Sequence, residues 1–357
     1  MNFDAIIAGA GIWGCTLARR LADAGKKVLV IEKRNSIGGN ARSQIDKTTG
    51  IEVHLYGSHI FHTHNEEVWK FINRYVDFNG YQHKVLAKHK DKLYFLPIGL
   101  QLINKFFGIE LTPKEVKTFM LEEKNSKKIF DAFFRGYTSK QWGYSPENID
   151  INIIKRVPIR NNYDTNYFND YWQGIPTSGY NSLFEKLLDS PLITLKCNEE
   201  FSLNSKYVIE SNSLGIPIYY SGPIDKLFEY KYGPLPWRSL RFESMTLDVQ
   251  DFQGTSVVNY VDIEIPFTRI HEFKHYHPEK IDTMSIDKTI IMKEYPQTWS
   301  LDKEPYYPIN TPKSKEILDK YIEEVKKYPF LTVGGRLGSY KYLDMDQTME
   351  DAMKINI

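Results

Sequence analysis

The sequence predicts a mixed α/β fold: a discontinuous Rossmann-like dinucleotide-binding domain, an inserted small helical domain and an antiparallel β-sheet domain. Three observations carry that expectation. A Gly-x-Gly-x-x-Gly stretch, Gly9 to Gly14, lies between a short apolar strand and a helical pattern. Helical periodicity runs from Leu100 to Tyr137, and apolar–polar alternation dominates from Ser239 to Tyr295. The expected domains are 1–80, 190–236 and 318–357 for the dinucleotide, 97–150 for the helices, and 81–96, 151–189 and 237–317 for the sheet and substrate.

The chain is organised around Asp4 to Asn40. The strand Ala5-Ile6-Ile7-Ala8 feeds Gly9-Ala10-Gly11-Ile12-Trp13-Gly14, and a helix follows with Cys15, Leu17, Ala18, Leu21 and Ala22 on its periodicity. Gly25 supplies a C-cap, and Val28-Leu29-Val30-Ile31 forms a second strand ending on Glu32. Gly9 allows the tight turn, Gly11 lets backbone approach a pyrophosphate, and Gly14 lets the helix pack close to the sheet. The helix N-terminus offers free N–H groups to phosphates. Glu32 is placed to accept hydrogen bonds from ribose hydroxyls. A generic glycine-rich turn would lack this strand–turn–helix context and its acidic strand end. Lys33-Arg34 then leads to Ile37-Gly38-Gly39-Asn40-Ala41, a second glycine pair suited to a chain wrapping back over a long dinucleotide. These residues resemble FAD-binding proteins of the glutathione-reductase type more than NAD dehydrogenases, so FAD is the expected cofactor.

A length of 357 residues favours two or three domains. The net charge of +1, from 46 basic and 45 acidic residues, argues for no nucleic-acid or anionic-membrane partner. No apolar run approaches the ~20 residues that span a bilayer, and no basic leader precedes the first strand, so no signal peptide is expected. The 24 Tyr suit a polar organic ligand, because Tyr can stack on a ring while its hydroxyl bonds a phosphate or sugar. There are two cysteines, Cys15 and Cys197. With Cys15 in the nucleotide-binding helix, no disulfide framework is expected and a reducing cytoplasm is the default compartment.

Further along, Ile51 to His64 reads as a strand and a glycine-hinged loop with four histidines. A metal site is set aside, because no acid or thiol lies among them and alternation sends neighbours to opposite faces. Glu66 to Tyr75 reads as a helix, and 85–96 as a hairpin turning at Lys90-Asp91. The helical stretch is broken by the charged run Glu122 to Lys128, expected to be a mobile loop. Ser182 to Leu188 is an expected helix; Ile193 to Phe201, Tyr207-Val208-Ile209 and the segment from Ile216 to a turn at Gly222-Pro223 are expected strands. Ser314, as N-cap, opens a helix to Tyr328. A strand over 330–333 and a closing helix from Tyr342 to Ile355 complete the chain.

Taken together, the chain resembles the UDP-galactopyranose mutase family over nearly its whole length. The resemblance rests on Val28 to Arg34 with Ile37 to Ala41, Tyr56-Gly57-Ser58-His59-Ile60-Phe61-His62-Thr63, and Gly136-Tyr137-Thr138-Ser139-Lys140-Gln141-Trp142-Gly143. It also rests on 154–160, 173–176, 222–225, 237–240, 304–308 and 334–337. It implies a UDP-sugar substrate, FAD active in the reduced form, and redox-neutral interconversion of pyranose and furanose through a flavin N5–sugar adduct. UDP-galactopyranose is the leading substrate; UDP-arabinopyranose, UDP-N-acetylgalactosamine or a 6-deoxy sugar are alternatives. Family members are often dimers, so the resemblance admits a homodimer, while the sequence itself does not give the oligomeric state.

The resemblance also implies roles. Arg156 and Arg269 match the pair that clamps the diphosphate, a task for which a planar guanidinium is suited. Tyr167, Tyr307 and Tyr342 match phosphate-bonding tyrosines. Tyr137 matches the uracil-stacking position, with Phe133 and Thr138 nearby. Trp142 and Asn259 match sugar-side positions, and Arg238 another active-site arginine. His59 and Ile60 match the segment against the flavin, and Gly335, Arg336, Asp344 and Met345 the segment closing over it. Trp13 replaces a smaller aromatic that touches the cofactor through its backbone. Aromatics at helical spacing, as at Phe133 and Trp142, also serve as core. Departures cluster at the sugar and lid: His83 for an Asn, Pro97-Ile98-Gly99 for Pro-Phe-Asn, and Leu343 for a Tyr. A flavin oxidoreductase and a non-catalytic flavin-fold binding protein are the rival readings.

Overall fold

The computed structural model describes residues 2–149 and 159–357; Arg156 lies outside the described residues. Five short strands make an all-parallel sheet in the order Leu331–Val333, Ile218–Tyr220, Ala5–Ala8, Val28–Ile31, Ile193–Lys196. The two innermost runs are buried at every residue, which is why they read as unbroken apolar stretches rather than alternation. The chain crosses from the first strand to Val28–Ile31 on one side and later returns to place Ile218–Tyr220 on its other side. The C-terminal end of the first strand is therefore a switch point, where a crevice for a ligand opens.

The helix Ile12–Asp23 packs onto this sheet. A Cβ on Gly14 would lie 1.9 Å from the Gly9 carbonyl oxygen, so the close approach read from the motif is real. The same helix binds the chain's other end. Trp13 Nε1 donates to Asp351 Oδ2 at 2.7 Å, and Arg20 donates to the Ala352 carbonyl at 2.7 Å and that of Ile355 at 3.0 Å. Those acceptors belong to, or directly follow, the closing helix Met345–Met353.

A second sheet has seven strands, ordered Tyr307–Pro308, Trp237–Leu247, Thr289–Thr298, Arg269–Glu272, Val257–Tyr260, Val85–His89, Lys92–Leu96. It is antiparallel except where Val257–Tyr260 runs parallel to Val85–His89. One register row holds Ala87, Asn259, Arg269, Glu294 and Phe242 side by side. His271 lies two residues along from Arg269 and so shares its face. The hairpin turning at Lys90-Asp91 forms as read.

The helical unit packs Leu100–Phe107, Glu115–Leu121 and Glu123–Phe130 around a core of its own, centred on Ile103, Ile129 and Phe130. A π turn, Asp131–Arg135, leads into the helix Gly136–Trp142. The expected mobile loop at 122–128 is therefore a correction: it is mostly helix. Its charges sit at helical spacing, with Lys127 and Arg135 both paired to Asp131, and Asn125 turns inward to donate to the Phe119 carbonyl at 3.0 Å.

Other local readings also change. Tyr207-Val208-Ile209 lies in the helix Lys206–Leu214, which buries Tyr207, Val208 and Ser211 on one face and ends at Gly215 with φ +68°. The strand from Ile193 stops at Lys196. The helix read from Ser314 begins at Pro312; Thr311 is the N-cap and Ser314 the reciprocal third residue of a capping box. The closing helix starts at Met345, capped by Asp344, and the helix from Glu66 ends at Ile72. Cys15 and Cys197 are both free. No described helix is long and apolar enough to cross a membrane.

The Gly14 contact gives a direct test. Gly14→Ala drives a methyl into the Gly9 carbonyl, so it should cost about 1–3 kcal/mol or more and weaken retention of a bound dinucleotide. Urea unfolding midpoints of the two proteins check it.

Candidate active site

An elongated cavity of about 1240 Å³, counted to its open mouth, is built around the end of the first strand. Gly11 and Gly39, both lining it, face each other, and a Cβ on Gly39 would stand 3.1 Å from the Gly11 Cα. Side chains there would push the two glycine loops apart, so these glycines fit backbone that closes around a dinucleotide. Glu32 does more than face the ligand. Its carboxylate accepts from the Ala10 amide and from the Arg34 amide, both at 2.8 Å, and so fixes the glycine loop to the end of the second strand.

The sequence-expected residues Gly9, Gly11, Trp13, Glu32, Lys33, Gly39, Asn40, His59, Gly335, Arg336 and Met345 line this cavity. Gly14 lies beneath the loop, Ile60 packs against a hydrophobic core, and Asp344 caps a helix. Sequence reasoning missed Glu199, Glu200 and Phe201, which follow the strand that ends early. It missed Ser221, although the adjacent Gly222-Pro223 marked the turn. It also missed Glu304, which reaches from the sheet unit to pair with Lys33 at 3.4 Å and Arg34 at 3.0 Å.

From the cavity an aromatic strip leads outward. The Arg336 guanidinium lies 4.8 Å from the ring of Tyr342, Tyr342 stacks on Tyr307 at 5.6 Å, and Tyr307 meets Trp142 at 6.3 Å. Arg269 stands nearby with its guanidinium bonded to the Tyr137 hydroxyl and paired with Glu294 at 3.5 Å. Burial opposes the charged form of Arg269, but the Glu294 carboxylate outweighs it and holds it cationic. Burial likewise raises the hydroxyls of Tyr137, to about 12, and of Tyr307 and Tyr342. They stay protonated, so they can donate to an anion.

Glu294 is fixed from behind. Burial works against its carboxylate, yet Arg269, His271 and Thr268 bring its pKa below the usual range. Burial keeps His271 neutral, with Nε2 donating to Glu294 at 3.2 Å and Nδ1 accepting from Ser58 at 2.6 Å. Tyr276 donates in turn to Ser58. The network reaches the loop bearing His59, whose Nδ1 donates to the Gly57 carbonyl at 2.7 Å.

His83 is buried. Its Nδ1 meets the Tyr81 hydroxyl at 3.0 Å, and its ring packs against Phe168 at 5.5 Å and Tyr167 at 5.6 Å. Asn259 is level with Arg269, and its buried Oδ1 has no partner among the described residues. Thr138 is half-buried on the helix that carries Tyr137. Phe133 stands apart, packing into the helical core against Tyr94 and Phe106. Arg238 is buried opposite Tyr307 on the neighbouring strand and donates to the Gln141 carbonyl at 2.9 Å and the Lys140 carbonyl at 3.2 Å, so it also holds the end of the helix that carries Trp142.

A dinucleotide cavity, with a buried cationic arginine and protonated tyrosines reached from its Arg336 through Tyr342 and Tyr307, defines a cofactor-dependent enzyme for an anionic substrate. The sequence model of UDP-galactopyranose mutase matches residues 132–342, and that of an NAD(P)-binding Rossmann-like domain matches 7–75. A protein of Klebsiella pneumoniae named a probable UDP-galactopyranose mutase is 38% identical, over 99% of this chain and 94% of its own. A dTDP-fucopyranose mutase of Escherichia coli is 37% identical over 98% and 96%. The crystal structure of a reduced UDP-galactopyranose mutase shares the fold, with a TM-score of 0.72, 16% identity, and coverage of 97% of this chain and 93% of that one. The chain belongs to the UDP-galactopyranose mutase family, and its cavity fits FAD, the family's cofactor.

The buried imidazoles make stability depend on pH. Burial lowers His54 to about 3, His59 to about 4 and His83 to about 3, and lowers His271 as well. Hydrogen bonds to carboxylates raise the exposed His64, and they raise His275 against its burial. The unfolded chain takes up protons near pH 6.5, whereas the folded protein refuses them at His54, His59 and His83 until about pH 3–4 and at His271 until below the ordinary value. Stability should therefore fall as pH drops from about 7 to 4, by up to about 1.4 kcal/mol per pH unit for each such imidazole. Urea midpoints at acidic and neutral pH test this.

Proposed function

We propose that the protein interconverts UDP-galactopyranose and UDP-galactofuranose with no net redox change. The observation that carries this reading is the Arg269 guanidinium, held cationic among tyrosine donors beyond the dinucleotide cavity. Bound in the reduced form, FAD would supply a nucleophile for the anomeric carbon and be regenerated unchanged.

The chain's own part is to bind, orient and stabilise charge. When the anomeric bond breaks, negative charge grows on the departing UDP. Arg269 would meet it with a planar guanidinium, and Tyr307, Tyr342 and Tyr167 with hydroxyl donors. Arg336, stacked on Tyr342, would keep that tyrosine over the junction of cofactor and substrate. The unpartnered Asn259 oxygen suits a sugar hydroxyl. His59 has its Nδ1 proton committed to Gly57, which leaves Nε2 to accept a hydrogen bond. With a pKa lowered to about 4, it suits holding a hydroxyl better than removing its proton. Two free cysteines fit a reducing cytoplasm.

A second substrate reading is favoured by the wall around His83. Phe168, Tyr167 and Tyr81 leave that wall largely aromatic, which suits a methyl where galactose has a hydroxymethyl. The relative named a dTDP-fucopyranose mutase is compatible with such a 6-deoxy sugar.

Turnover by the dithionite-reduced protein, with pyranose and furanose resolved by chromatography, tests the function. Conversion of UDP-galactopyranose is expected only after reduction; faster conversion of UDP-arabinopyranose, UDP-N-acetylgalactosamine or dTDP-fucopyranose would move the substrate to that sugar. No conversion of any would sink the mutase reading. Arg269→Lys keeps a cation beside Glu294 but loses the planar fork. It should lower kcat/KM by about 10²–10³-fold, as expected for loss of a preorganised donor, with FAD content unchanged. Steady-state kinetics beside the flavin absorbance checks it.

A further inference from the structure

The helix Gly136–Trp142 carries Tyr137, Thr138 and Trp142, yet its most unusual residue points the other way. The ammonium of Lys140 donates to four backbone carbonyls of one loop: Tyr260 at 2.6 Å, Asp262 at 2.9 Å, Ile265 at 3.0 Å and Phe267 at 3.0 Å. An ammonium has three N–H groups, so none is left for a substrate phosphate. The Asp262 carboxylate is not its partner, since it is taken by His89 and the Lys90 amide, both at 2.6 Å.

A second contact repeats the attachment one turn away. A Cβ on Gly136 would lie 2.5 Å from the Val261 carbonyl oxygen and 3.0 Å from the Ile263 nitrogen, so helix and loop touch backbone to backbone. Gly136 and Lys140 are four residues apart and share a face. The loop they grip is closed at its base by the Tyr260 amide donating to the Thr268 carbonyl at 2.8 Å, and it runs straight into Arg269. Tyr137 returns from the same helix to bond that arginine.

We propose that Lys140 is a positioning residue that acts as a fixed internal cation for the loop 260–267 and so sets Tyr137 in register with Arg269. The helix that presents the nucleotide-side aromatics and the strand that presents the diphosphate cation come from different units of the fold. Lys140 joins them without touching substrate. The role deepens the mutase reading and rests on it for the identity of the ligand.

The test uses the FAD-loaded full-length protein, UDP as probe, and a double-mutant cycle of Lys140→Met with Tyr137→Phe. Lys140→Met should weaken UDP binding about tenfold by calorimetry, raise KM more than it lowers kcat, and leave the flavin spectrum unchanged. In the Tyr137→Phe background the same change should weaken binding less than threefold, because the contact it sets is already gone. A Lys140→Met protein that binds UDP within twofold of the parent, or two effects that simply multiply, would overturn the proposal. Should Lys140→Met not fold, Lys140→Arg, whose guanidinium cannot occupy the same four-carbonyl cage, is judged by the same outcomes. A parent protein that binds no UDP would count against the mutase reading instead. Amide exchange then decides the positioning role alone: residues 136–142 and 260–268 should exchange at least tenfold faster in the variant, and unchanged exchange overturns it.

Discussion

The interaction on which the site depends is the pairing of Arg269 with Glu294 inside a sheet. A carboxylate taken this far out of water is strongly unfavourable alone, and the pair is tolerated because further groups meet the carboxylate. The register supplies the partner by putting the two residues opposite each other on adjacent strands. His271 and Thr268 add hydrogen bonds to Glu294, and Ser58, itself bonded by Tyr276, satisfies His271, while the Arg269 Nε, 3.5 Å from Glu294, has no hydrogen-bond partner among the described residues. The result is an arginine whose charge is kept but not fully neutralised, facing tyrosines that remain donors. Several residues that never meet substrate follow from that one requirement.

The same reasoning explains the relation of the two sheets. A dinucleotide cavity at the end of a parallel sheet is open on its outer side, and here the other unit closes it. Glu304 crosses to Lys33 and Arg34, and the loop bearing His59 lies over the row that holds Glu294, with Gly57 against Phe242. The cofactor end and the anion end are thus joined by short polar contacts in addition to a shared apolar core, in which Ile7 and Val30 of one sheet belong to the same cluster as Val257 and Met292 of the other. The two chain ends are tied more firmly, through Trp13 to Asp351 and through Arg20 to the last helix.

What could be read in the sequence was what is local. The glycine loop, its strand and its helix carry their own signals within a few residues, and the strands within 239–295 were legible as strands although much of that sheet is buried on both faces. Tyr207-Val208-Ile209 misled because β-branched and aromatic residues suit strands, whereas burial of one face and Gly215 decide for a helix. The run 122–128 misled because charge was read as disorder while its spacing was helical. Family resemblance brought Arg269, Tyr137, Tyr307 and Tyr342 toward one cleft. It gave no sign that Arg238 would be spent on helix carbonyls or Phe133 on a core. The Lys140 cage and the Glu304 bridge join residues over a hundred positions apart, and a single chain offers no signal for such pairs.

The division of labour in the cleft bears on how one fold could serve different sugars. In the proposed function Arg269 and the tyrosines address a diphosphate, which every candidate substrate carries, so they would not tell the sugars apart. Selection would then come from groups that touch the sugar alone, and we propose His83 with its aromatic neighbours as the wall least like a set of hydroxyl partners. A sugar hydroxyl buried there without a partner would lose about 1–3 kcal/mol, enough for roughly ten- to a hundredfold discrimination. Such a change leaves the buried Arg269–Glu294 pair and its network intact. Substrate choice can therefore shift by replacing a few wall residues, while the charged core of the site, whose members depend on one another, resists any single replacement.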